Sequence, residues 1–70
     1  MQPKQQFAEN LRRLRHDAGI SQVELSDRCG LHFTEISRLE RGVRDPRLAT
    51  IVQLARGLGV DPAELVTGIR

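Results

Sequence analysis

The sequence predicts an all-α domain of five helices with a helix-turn-helix at its centre. Three observations lead there. At 70 residues the chain has room for one small domain, residues 1–70, near the size at which a single core barely offsets chain entropy. Hydrophobic residues make up 39% of it and aromatics only 3%, so the core must be built from Leu, Ile, Val and Ala, which favours packed helices. The stretch QVELSDRCGLHFTEISRLER, from Gln22 to Arg41, places Leu25, Cys29, Leu31, Ile36 and Leu39 at spacings of four, two, five and three. Those spacings set one face of each of two short helices on a shared core, joined by a tight turn.

Each helix has its own signals. Phe7, Leu11, Leu14 and Ala18 form a helical stripe over roughly residues 5 to 18, ended by Gly19. Ser21 and Glu24 make a capping box, in which the hydroxyl caps the helix start and the carboxylate reaches back to a free amide. The second helix then runs to about Cys29, and Gly30 supplies the positive φ of the turn. Ser26 is expected where the two motif helices cross most closely. The third helix spans about Phe33 to Arg41, with His32 at its cap and Gly42 as its stop. A fourth opens after Asp45 and Pro46, carries Leu48, Ile51, Val52, Leu54, Ala55 and Leu58, and ends among Gly57 and Gly59. Asp61, Pro62 and Glu64 mark the start of a fifth, whose apolar face is Leu65, Val66 and Ile69.

Composition narrows the chemistry. The net charge is +2 and the pI about 9.5, a modest excess whose distribution says more than its size. Arg38, Arg41, Arg44 and Arg47 recur at every third residue, and Arg12, Arg13 and Arg15 cluster earlier. Cys29 is alone, so it forms no internal disulfide, and its place on an apolar face reads as a reduced core residue. His16 and His32 lie on different elements without metal-ligand spacing, Gly57-Leu58-Gly59 lacks the rest of a dinucleotide fingerprint, and the acids are scattered through cap and solvent positions. An enzyme, a metal site and a cofactor are therefore not expected. The N-terminal MQPKQQF lacks the apolar stretch of a secretory signal and no run reaches membrane-span length, so a cytoplasmic location is expected.

From Leu11 to Ile69 the chain resembles the DNA-binding domain of the phage repressor and Cro superfamily, the xenobiotic-response-element family. LRRLRHDAGISQ, ISRLERG at Ile36 to Gly42, RDP at Arg44 to Pro46 and LARGLGV at Leu54 to Val60 carry the resemblance. It implies a compact, lambda-repressor-like bundle of five helices that reads double-stranded DNA as a homodimer on a near-palindromic operator. The GLHFTEISRLERG stretch is similar to the controller proteins of restriction-modification systems, which share Gly-Leu-His before the recognition helix.

An α-helix fits the major groove, where each base pair displays its own pattern of donors, acceptors and methyl groups. With Ile36 and Leu39 turned inward, the third helix presents Phe33, Thr34, Ser37 and Arg38 as candidate base contacts. Arg38 can fork onto guanine, or instead pair with Glu35; Phe33 can pack on a thymine methyl, or fold back as peripheral core. Glu35 opposes phosphate but accepts from cytosine, which makes it a candidate specificity filter. Gln22 is carried over from the family as a phosphate contact, with Arg41, Arg44 and Arg47 as further phosphate contacts. Arg15 and Glu40 match the family's internal ion pair. Leu65, Val66 and Ile69 are the expected dimer surface, with intramolecular packing as the alternative. A rival reading keeps the bundle and uses it as an antitoxin or adaptor that contacts protein.

Overall fold

Pro3 occupies the first position of α1 (Pro3–Asp17), where its missing N–H costs nothing, and the Gln2 amide donates to Gln5 Oε1 at 3.2 Å. The helix thus begins two residues earlier than the apolar stripe suggests. The computed structural model describes all 70 residues, Met1–Arg70, and the remaining elements are α2 (Gln22–Cys29), α3 (Phe33–Glu40), α4 (Leu48–Leu58) and α5 (Pro62–Leu65). The bundle is all-α and of the lambda-repressor-like type. Helix α2 packs on α3 and α4, while α1 packs on α3 and α5, and α5 also rests on α4.

The local signals set the boundaries. Ser21 Oγ accepts the Glu24 amide at 3.0 Å while Glu24 Oε1 accepts the Ser21 amide at 3.3 Å, closing the capping box at the head of α2. Gly30, at φ 79°, ends α2 in the left-handed region. The His32 ring caps α3, its Nδ1 accepting the Thr34 amide at 3.1 Å. Asp61 Oδ1 caps α5 in the same way, at 2.8 Å from the Ala63 nitrogen.

Phe7, Leu11, Leu14, Ile20, Leu25, Cys29, Ile36, Leu39, Leu54, Ala55, Leu58 and Leu65 form one core, with Leu31, Ile51, Val60 and Ile69 packed against its edge. Cys29 is a free, buried thiol. Some expectations need correction. Ala18 is exposed, because α1 has already ended and residue 18 is its cap. Leu48 is 77% exposed, since it opens α4 beyond the reach of any neighbouring helix. Helix α5 lasts four residues and then unwinds into a turn.

Gly57 is not a terminator. It lies buried inside α4, and Gly59, at φ 71°, ends that helix. A Cβ on Gly57 would stand 2.9 Å from Cys29 Cβ, 3.1 Å from Leu25 Cδ1 and 3.3 Å from the Cys29 nitrogen. The close helix approach is therefore between α2 and α4 at Gly57. Ser26, in the last turn of α2, donates its hydroxyl to the Leu31 carbonyl and braces the turn between α2 and α3.

The end of the chain is tied to its beginning by a buried amide. Asn10 Nδ2 donates to the carbonyls of Leu65 at 3.0 Å and Thr67 at 2.8 Å, and Gln6 Nε2 donates to Asn10 Oδ1 at 3.0 Å. Both N–H donors of the Asn10 amide and its oxygen are thereby partnered, where an unpaired buried amide would be costly.

Candidate nucleic-acid interface

Burial of Ile36 and Leu39 fixes the rotation of α3, since both are wholly inaccessible. The opposite side then carries Phe33 and Arg38 exposed and Thr34 and Ser37 half-buried, in one strip along the helix. Phe33 does not fold back as core. It is 47% exposed, and its ring lies 5.7 Å from that of His32. Arg38 does not pair with Glu35 and stands exposed without an ionic partner, because Glu35 is engaged elsewhere.

That engagement is with the loop between α3 and α4. Arg44 Nη2 lies 3.2 Å from Glu35 Oε1. Both residues line a cleft of about 350 Å³ together with Leu31, Asp45, Arg47 and Thr50. Arg47 stands at the cap position of α4 and gives that helix no side-chain cap. Arg41 is exposed, with Nε donating back to the Ser37 carbonyl at 3.4 Å. The four arginines spaced by threes thus differ: Arg38 is unpaired, Arg41 leans on its own helix, Arg44 is held by Glu35, and Arg47 heads α4.

Behind this face lies a buried polar junction. The Arg15 guanidinium meets the Glu40 carboxylate twice, Nε to Oε2 at 2.6 Å and Nη2 to Oε1 at 3.0 Å, and Nη1 donates to the Ile20 carbonyl at 2.9 Å. Glu40 is 3% exposed. Hydrogen bonding to Glu40 raises the Arg15 pKa above its ordinary value; burial opposes this and the attraction of the same carboxylate adds to it. Gln22, on the first turn of α2, donates its Nε2 to Glu40 Oε1 at 3.0 Å. One amide hydrogen is committed to this contact and the other remains for a ligand. Arg12 donates to the Glu40 carbonyl. The early basic cluster therefore splits, with Arg12 and Arg15 turned to Glu40 and Arg13 left to solvent. The Arg15–Glu40 pair is the one the family resemblance implies, and the spacing of three between Arg12 and Arg15 places both arginines on one helix face.

At the C-terminal end the three apolar residues separate. Leu65 is fully buried within the chain, so its side chain is core and not surface. Val66 is 40% exposed, and Ile69 is partly buried against the core edge. No helix is long and apolar enough to cross a membrane.

The helix-turn-helix domain family matches residues 6–67. The uncharacterized HTH-type transcriptional regulator y4dJ of Sinorhizobium fredii is 40% identical over 96% of this chain and 87% of its own length. Control protein C.BamHI of Bacillus amyloliquefaciens is 38% identical, over 86% of this chain and 75% of its own. In three dimensions, the restriction-modification controller protein C.AhdI from Aeromonas hydrophila superimposes with a TM-score of 0.85 at 37% identity, covering 89% of this chain and 94% of that one.

Proposed function

This chain belongs to the helix-turn-helix family and is a sequence-specific DNA-binding regulator related to the Cro and repressor type. From that membership we propose that it works as a homodimer on a near-palindromic operator, and that it is a restriction-modification controller or a stand-alone repressor. The controller reading is supported by the likeness to C.BamHI and C.AhdI.

The exposed strip of α3 carries the proposal. With Ile36 and Leu39 locked inward, Phe33, Thr34, Ser37 and Arg38 are the side chains free to enter a major groove. Arg38 forks onto the two acceptors of a guanine, Phe33 packs on a thymine methyl, and Thr34 and Ser37 offer hydroxyls. Gln22, Arg41, Arg44 and Arg47 set the register by binding phosphates on either side. The free N–H of the Gln22 amide suits that task, as do the uncapped first-turn amides of α4. The Arg15–Glu40 pair does not touch DNA; it holds α1 against the end of α3. A second copy adds its reading head through the C-terminal face, with Val66 and Ile69 at the seam and Leu65 supporting them from the core.

The test is selection of bound duplexes from a random pool, with wild type and Arg38→Ala in parallel. The expected result is a near-palindrome with half-site centres roughly 10 bp apart, relaxed by the substitution at one symmetric base pair. A folded protein that enriches no sequence overturns the reading and favours a protein partner for the same bundle.

A further inference from the structure

Glu35 is anomalous on this surface. It lies in the first turn of α3 beside Phe33 and Thr34, and a carboxylate there repels the phosphates of any duplex. Its charge is not spent on the Arg15 junction, which uses Glu40. Nor is it spent on Arg38, its neighbour three residues on. It reaches across to Arg44, 3.2 Å away in the loop beyond α3, with both side chains partly open to solvent. The arginine thereby occupied belongs to the set spaced by threes that faces the backbone.

We propose that Glu35 is a specificity-determining residue that acts by holding Arg44. This rests on the DNA-reading role of α3. On an arbitrary duplex, Arg44 reaches a phosphate only by leaving Glu35, which then faces the backbone unpaired and takes up a cation. One arginine contributes little to such binding, and the salt dependence is correspondingly shallow. On the operator, a base amino group, N4 of cytosine or N6 of adenine, accepts the role of partner to the carboxylate, and Arg44 moves to phosphate without leaving a stranded charge. Base identity and backbone neutralisation are then linked through one side chain, with discrimination built from a penalty on wrong sequences.

Glu35→Gln keeps the shape and removes the charge. Its binding to a random-sequence duplex should tighten by about two- to fivefold, the range spanned by exposed ion pairs. The slope of log K against log salt should steepen by about 0.9, one phosphate's share. The variant should also elute from heparin at higher salt than wild type. Affinity for the selected operator should gain less, so the ratio of operator to random-duplex binding falls, by at most about the same two- to fivefold. The gain on random duplex should shrink in Glu35→Gln, Arg44→Gln, compared with Arg44→Gln alone, because only the repulsion of the bare carboxylate is then relieved. An equal gain in that background means simple repulsion and overturns the role of Arg44; an unchanged heparin elution and slope overturns the proposal outright. If folded wild type is retained on neither heparin nor duplex, the DNA-reading role itself falls and takes this inference with it.

Discussion

Gly57→Ala sets two effects of opposite sign against each other. Inside an exposed helix, replacing glycine by alanine stabilises by about 1 kcal/mol, because the unfolded chain loses freedom and the helix gains a better former. At Gly57 the added Cβ would lie 2.9 Å from Cys29 Cβ and 3.3 Å from the Cys29 nitrogen. Neither atom is the end of a flexible side chain, so α2 and α4 must separate. Overpacking of this kind costs typically 1–3 kcal/mol, and the involvement of backbone argues for about 3. The net expectation is a loss of about 2 kcal/mol, or a Tm lower by roughly 10 °C for a domain of this size. Thermal unfolding followed by circular dichroism, at two protein concentrations to separate any contribution from association, measures it. A Tm equal to or above that of wild type would refute the close approach of α2 and α4.

Three further outcomes follow from the polar contacts. Glu40→Ala strands the Arg15 charge and frees Gln22, at a cost of about 3–5 kcal/mol, comparable to the whole stability expected of 70 residues; urea titration should find the variant largely unfolded at moderate temperature. Because the Arg15 pKa is raised, its contribution is complete below the ordinary arginine value and lost only as pH climbs through the raised one. The stability difference between wild type and Arg15→Met, attributable to that proton, should therefore stay flat between about pH 7 and 10. Asn10→Ala leaves the carbonyls of Leu65 and Thr67 without their donor, costing about 1–3 kcal/mol, and should speed amide exchange in residues 65–69 more than in α2 or α3.

Features written in neighbouring residues were legible in the sequence. Ser21 with Glu24, Gly30, His32 and Asp61 with Pro62 act within a turn of where they stand, and each sits at the boundary it signals. The strip on α3 was legible because two buried residues suffice to orient a helix. Periodicity, however, tells which side faces inward and not how far the neighbouring element reaches. Leu48 fits the stripe of α4 yet lies past the edge of its partner, and Leu65 fits a surface stripe yet is buried in the shared core where α5 rests on α1 and α4. Gly57 looks like punctuation because its reason is a distance to Cys29, 28 positions earlier on another helix. The partners of Glu35 and Gln22 were hidden likewise, since side-chain pairing across a loop leaves no spacing rule behind.

The Asn10 contacts also bear on how the chain is made. Residue 10 emerges early from the ribosome, but its acceptors at residues 65 and 67 emerge 55 and 57 positions later. Until then α1 carries a polar amide on the flank of a core that still lacks Leu65. The N-terminal helix must wait for the 57 residues that follow Asn10 before its last buried bond can form, at roughly 5–20 residues per second a delay of seconds. Closure of the bundle therefore waits for residues 65–67, and any delay in their synthesis prolongs the interval in which the helix pair α1 and α3 stands incompletely covered.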